Sequence, residues 1–259
     1  MKIFLLKFNW ILNQFGINPI QFIKSIKSLN RYFIDLYKFQ KINNKKLYLK
    51  PCLTDWYEEG GSINNEYFWQ DLLVSQMIYE NRPIRHIDIG SRIDGFVAHV
   101  ASFRKVEVFD VRPVYTKIPN VDFKQSDLMD SNFFDNDFGT CDSLSCLHTI
   151  EHFGLGRYGD PIVKDGYIIG LKNMASLICK GGYFYFSTPI GKERIDFNAN
   201  RVFNPKEIYY LIKNFGFELS KLLIIKNGNI IHEIKISLEE IDKLSYDNYN
   251  LGIFIFVKL

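Results

Sequence analysis

"HIDIGSRIDGF", residues 86–96, decides how the rest of the chain is read. Its first half is a short apolar run around one acid, Asp88, and closes on Gly90. A brief apolar run bounded by a turn signal reads as a buried strand, and the spacing after the turn is helical. Strand, glycine turn and helix in succession form the opening unit of a parallel α/β sheet. Such a turn aims backbone N–H groups at a ligand beside the helix start. The dinucleotide pattern G-x-G-x-x-G is absent, because Arg92 takes the second glycine place. Close approach of a pyrophosphate is therefore disfavoured, and a cofactor without one fits better.

The alternation continues outward from this unit. Before it, "EYFWQDLLVSQMIYENRP" reads as a helix closed by Pro83. After it, strands are expected at 105–111, 121–127, 141–149, 181–189, 219–227 and 251–259, with helices at 93–103, 165–179 and 204–217. Seven strands interleaved with helices predict a mostly parallel sheet covered on both faces.

In such sheets ligands sit beyond the carboxyl ends of the strands. The second strand ends at Asp110, twenty residues after Gly90, where an acid can take both hydroxyls of a ribose. The third ends at Asp127-Leu128, where the acid can meet an adenine amino group. The fourth runs into "HTIEHFGLGRYGDP", residues 148–161. His148-x-x-Glu151-His152 copies a zinc-protease pattern, but that pattern needs a helix and His148 leaves a strand. Gly154-x-Gly156-x-x-Gly159 copies the dinucleotide fingerprint, but it follows no strand and opens no helix. The segment reads instead as an irregular loop over an active-site mouth, with Arg157, Tyr158 and Asp160 as polar groups for a substrate. An imidazole titrates near neutral pH, so His148, with His152 second, is the expected base, oriented by Glu151.

The three strand-end acids, the segment "DSLSCLHTIEH", the run "LICKGGYFYFSTP" and the helix entry "NRVFNPKEIYYLIKNFGFEL" resemble class I S-adenosylmethionine-dependent methyltransferases over roughly residues 65–220. "YFWQDL", "HIDIGSRIDGFVAH", "DSLSCLHTIEHFGLGRYGDPI" and "STPIGKERIDFNANRVF" look more closely like the family catalogued as domain of unknown function 268. Its bacterial members occur among surface-polysaccharide genes. The resemblance implies a Rossmann-like fold and S-adenosylmethionine as cofactor, held by Asp88, Gly90, Ser91, Arg92, Asp110, Asp127 and Leu128. It implies a sugar or glycan acceptor, with Asn198 and Arg201 after the fifth strand joining the substrate residues. Some class I methyltransferases hold a divalent ion at the place of His148, Glu151 and His152; none is expected here. Two rival readings use the same residues: a non-catalytic binding protein on a degenerate methyltransferase fold, and a metal-dependent hydrolase.

Residues 1–62 are expected to form a separate helical extension with a linker, and 63–259 the methyltransferase-like domain. Residues 1–50 carry ten Lys/Arg against Asp35, a net +9 in a chain whose total is +3. Asn18-Pro19 is a strong helix start, and Phe22, Ile26, Leu29, Phe33 and Leu36 then recur at helical spacing. This amphipathic helix can pack on the domain with a solvated basic face, or meet anionic lipid. No nucleic-acid module accompanies the charge, so no nucleic acid is expected. The N-terminal apolar run is broken by Lys7, Asn9 and Asn13 and is read as retained rather than as a signal peptide. Four cysteines without a C-x-x-C pair fit a reducing compartment. A cytoplasmic protein, peripheral to the inner membrane face, is expected.

Overall fold

The computed structural model describes residues 2–130, 133 and 139–259. It divides into two compact units, 1–62 and 63–259.

The first unit is helical. α1 runs Lys2–Gln14, and α2 runs Pro19–Ile42. Asn18 caps α2 by accepting the Gln21 N–H at 2.9 Å, with Pro19 in the first turn. A short 3-10 turn, Asp55–Tyr57, follows.

The second unit is built on an eight-stranded sheet. Its strands are β1 (His86–Ile89), β2 (Val106–Asp110), β3 (Val121–Gln125), β4 (Cys141–Leu147), β5 (Ile178–Ile190), β8 (Phe217–Lys226), β9 (Ile230–Glu233) and β10 (Asn250–Lys258). They lie in the order β3-β2-β1-β4-β5-β10-β8-β9. The first five pair in parallel, whereas β10 is antiparallel to both β5 and β8. The expectation of seven strands therefore needs correction. The extra edge strand β9 is the return arm of a hairpin from β8. Asn227 and Gly228 both take left-handed backbone there, the residue pair that such tight turns favour. A separate small hairpin, β6 (Arg194–Asp196) with β7 (Asn200–Val202), follows β5.

Strand alternation sends apolar side chains to both faces. Phe184 and Phe186 of β5 join one buried cluster with α5 (Gly166–Leu177) and α6 (Pro205–Asn214). Tyr185, between them, joins the other with α3 (Glu66–Asn81). A further short helix, α7, spans Leu238–Lys243. The helix expected over 93–103 is interrupted. A π-type turn at Ile93–Val97 leads into α4, Ala98–Ala101, because Gly95 leaves helical geometry (φ −121°, ψ −112°). A Cβ there would lie 2.8 Å from the Asp71 carboxylate, so α3 and this turn meet too closely for a larger residue.

Candidate active site

The carboxyl ends of β1, β2 and β4 open into one cleft, with about 880 Å³ of space between its walls, open solvent at the mouth included. Gly90, Ser91 and Arg92 line it from the first turn, Asp110 and Arg112 from the second, and Asp127 and Leu128 from the third. His148, His152, Tyr158 and Asp160 close it from the loop after β4. The sequence placed all of these there except Arg112.

Gly90 sits at φ +71°, and a Cβ would come within 2.4 Å of Thr149 Cγ2. The glycine thus gives both the turn and the close approach of the β4 loop. Gly90→Ala is expected to lower stability by about 1–3 kcal/mol, read by chemical denaturation, and to distort the turn.

Asp88 departs from expectation. It is fully buried and does not line the cleft. Its Oδ1 accepts the Ser91 and Ser145 hydroxyls at 2.7 and 2.6 Å, and its Oδ2 accepts the Ser91 N–H at 3.1 Å. Burial pushes its pKa up to about 7, against the opposing pull of these donors. Asp88 braces the turn from beneath. His86 continues the brace: its two ring nitrogens lie 2.7 Å from Ser143 Oγ and 3.2 Å from Ser145 Oγ. Because the Ser145 proton goes to Asp88, His86 Nε2 is the donor to Ser145, and its Nδ1 accepts from Ser143. Burial drives its pKa down to about 3, so this ring is neutral.

Asp110 is where the sequence placed it, with both oxygens engaged. Arg112 donates to Oδ1 through its backbone N–H and Nε (2.8 and 3.0 Å), and to Oδ2 through Nη2 (2.6 Å). The same guanidinium lies 4.5 Å from the centre of the Tyr158 ring. Arg92 does not crowd the cleft. It pairs with Asp94 at 2.7 Å, with both side chains mostly exposed.

Two histidines, His148 and His152, line the cleft beyond the end of β4. His148 has left-handed backbone (φ 52°), fixed by its N–H donating to Ser187 O and Oγ, each at 3.0 Å. Its ring lies between two carboxylates. Nδ1 bonds Glu151, and Nε2 bonds Glu66 at 3.0 Å. Glu66 also accepts the Tyr249 hydroxyl at 2.6 Å, and Tyr67 stacks on the imidazole with ring centres 4.5 Å apart. Burial would strip the proton from His148. Glu151 and Glu66 outweigh it and raise the pKa to about 10. For Glu151, burial is likewise overcome by the His148 charge, which holds the carboxyl below its usual value.

With both ring nitrogens bonded to carboxylates, His148 has none free to take a proton from a substrate, against the role expected of it. His152 is different. Its Nδ1 lies 2.7 Å from the Ala199 carbonyl and so carries the proton, which leaves Nε2 as an acceptor. Burial lowers its pKa, only partly opposed by Glu151, and the ring is neutral at pH 7. The ligand atoms of His148, Glu151 and His152 lie within 4.8 Å of one another. In this arrangement His148 and Glu151 are bonded directly to each other.

Three expected substrate residues lie off the cleft walls. Arg157 donates to Ala199 O at 2.9 Å. Arg201 is buried and donates to the carbonyls of Glu151, Phe153 and Lys164, so it fixes the loop. Asn198 precedes β7 and does not line the cleft. The sequence reading missed Glu66, Tyr249 and Arg112. Glu66 follows the cap residue Asn65 in the first turn of α3, where an acid already has a helix-stabilising explanation.

A family model described as Caenorhabditis protein of unknown function, DUF268, matches residues 105–253, more than half of the chain. No curated protein sequence matches. Among solved structures, the [4+2]-cyclase SpnF is similar with a TM-score of 0.50 at 12% identity, covering 73% of this chain and 81% of that one. The N-methyltransferase NodS from Bradyrhizobium japonicum WM9, solved with S-adenosyl-L-homocysteine, also has a TM-score of 0.50 at 12% identity, covering 78% and 91%. Likeness at such identity concerns the fold. The chain belongs to the DUF268 family, and its α/β domain has the Rossmann-like fold of the class I methyltransferases.

Proposed function

We propose that the chain is an S-adenosylmethionine-dependent methyltransferase acting on an oxygen of a sugar or surface-polysaccharide precursor. The observation that carries this reading is the convergence of Asp110, Asp127 and the Gly90–Ser91 turn on one cleft at the strand ends. Asp110 suits a ribose, Asp127 an adenine amino group, and the turn a ligand met by backbone N–H groups at a strand end. NodS, of similar fold, was solved with the demethylated cofactor, which supports the same cofactor class here.

The sulfonium of the cofactor supplies an already electrophilic methyl group. The chain's part is to align the acceptor hydroxyl and remove its proton. His152 Nε2 takes that proton, and Glu151 beneath it stabilises the imidazolium formed. His148, held charged between Glu66 and Glu151, positions Glu151 and presents a fixed cation to the cleft. Tyr158 offers a polar group to a sugar at the rim, whereas the Asp160 carboxylate, expected to do the same, accepts the N–H groups of Gly154, Gly156 and Tyr158 and so braces the loop.

Calorimetric titration with S-adenosylmethionine and S-adenosylhomocysteine tests the cofactor. Micromolar binding is expected, and a folded protein that binds neither at millimolar concentration overturns the reading. Mass analysis of polysaccharide precursors incubated with both protein and cofactor then tests the acceptor. A base whose pKa is lowered is already deprotonated at neutral pH. Activity is thus expected to hold steady down to the ordinary imidazole value, near 6.5, and to fall only below it. A profile breaking above pH 7 would remove His152 from the role.

A second reading, a protein on the methyltransferase fold that transfers no methyl group, has its own support. The likeness to a protein named as a cyclase is as strong as that to NodS, so the fold alone does not select methyl transfer. Cofactor binding without methyl transfer to any sugar would favour it.

A further inference from the structure

The N-terminal unit turns its apolar side outward. Phe22, Ile26, Leu29, Phe33 and Tyr37 fall at i, i+4, i+7, i+11 and i+15 of α2, one face of the helix, and all five are exposed. Phe22 is 66% exposed and Phe33 57%. The only buried residue of α2 is Ser28. Trp10 on α1 and Phe15 in the turn between the helices are also exposed. Within the unit, Trp56 lies over the Arg31 guanidinium at 4.1 Å, so the Asp55–Tyr57 turn covers part of the basic side and leaves the stripe bare. Contiguous apolar surface of this kind marks an interaction site.

The charge selects the occupant. Residues 1–62 are net +6, ten Lys/Arg against Asp35, Asp55, Glu58 and Glu59, and two copies meeting through this unit would bring like charges together. Nucleic acid would answer the charge and could stack on the aromatic rings, but would not answer the aliphatic Ile26 and Leu29 between them. An anionic lipid surface answers both. No helix among the described residues is long and apolar enough to cross a membrane. α2, with Lys24, Lys27, Arg31, Lys38 and Lys41 interspersed, suits a position along the interface.

We propose that the N-terminal unit docks on anionic lipid, with the α2 stripe in the acyl boundary and the lysines among the headgroups. This stands whether or not the chain transfers methyl groups. Co-sedimentation of the full chain with phosphatidylcholine vesicles, and with vesicles that also contain phosphatidylglycerol, tests it. Binding at least roughly tenfold tighter to the anionic vesicles is expected, weakening as salt is raised. The double variant F22S/F33S, checked for unchanged circular dichroism, is expected to lose that binding. Equal binding to both vesicle types, or full binding by the folded double variant, overturns the proposal. So does a wild-type dimer in solution that the double variant dissolves, because the stripe then belongs to self-association.

Discussion

Asp110→Ala is expected to weaken binding of S-adenosylmethionine by roughly a hundredfold or more, measured by calorimetry beside the wild type. Asp110 is nine-tenths buried at the end of β2, with its carboxylate facing the cleft. A ribose there would donate two hydroxyls to one charged acceptor. Hydrogen bonds to charged groups contribute about 1.5–3 kcal/mol each, and about 1.4 kcal/mol is tenfold in affinity. The ion pair with Arg112 works against this estimate, because the ribose must take the place of a guanidinium. That guanidinium is 42% exposed, however, so water can take over its donors when it leaves. The two ribose hydroxyls then replace the Nε and Nη2 donors, while the Arg112 backbone N–H keeps its bond to Oδ1. Asp110→Asn keeps an acceptor without the charge and should lose less. Unchanged binding by Asp110→Ala would place the ribose elsewhere and remove the main support for the cofactor assignment.

Glu151→Ala is expected to cost about 3–5 kcal/mol of folding stability, read from urea unfolding at pH 7. Glu151 has no exposure, and its carboxylate holds His148 with one oxygen and the Thr188 hydroxyl, at 3.3 Å, with the other. Removing it leaves His148 deep in the protein with only Glu66 to offset its charge. The pH dependence identifies the cause. The folded pKa of His148, about 10, lies above the unfolded value of 6.5. Its contribution is thus complete below pH 6.5 and is lost as the pH rises toward 10. Glu151 is shifted the opposite way, so its contribution is lost on acidification. The wild type should be most stable near neutrality and weaken through the alkaline range, and the variant should have a flatter alkaline limb. A destabilised variant with an unchanged alkaline limb would mean that lost packing, not the ion pair, set the cost.

The sheet was legible because its central strands are buried on both faces and contain unbroken apolar runs, as in "YFYF" of β5 and "IFIFV" of β10. The strand-end acids were legible for a related reason: an acid that ends such a run has few places to go except a cleft or a brace. The sequence could not say which of the two, and Asp110 took the cleft while Asp88 took the brace. His148 was misjudged because its state is set at long range. Glu66 lies 82 residues before it, and Tyr249 meets that same Glu66 from 183 residues away. No local pattern carries such a meeting. Arg201 was misjudged differently. A basic residue after the fifth strand suggests an anionic or sugar ligand, but its guanidinium is used on three backbone carbonyls that an irregular loop leaves without partners.

The contact between Arg112 and Asp110 would make cofactor binding, as proposed, a two-population problem. The structure holds the first arrangement, in which the guanidinium satisfies the acid and rests on Tyr158; binding a ribose at Asp110 requires a second, in which it has swung away. Only the second is competent to bind, so the measured dissociation constant is the intrinsic one divided by the competent fraction. A closed-to-open ratio of roughly ten to one would weaken apparent affinity roughly tenfold without altering any contact to the bound molecule. Whatever draws Arg112 or Tyr158 elsewhere, an acidic group on an acceptor included, would raise that fraction, so two ligands with no shared contact would bind cooperatively.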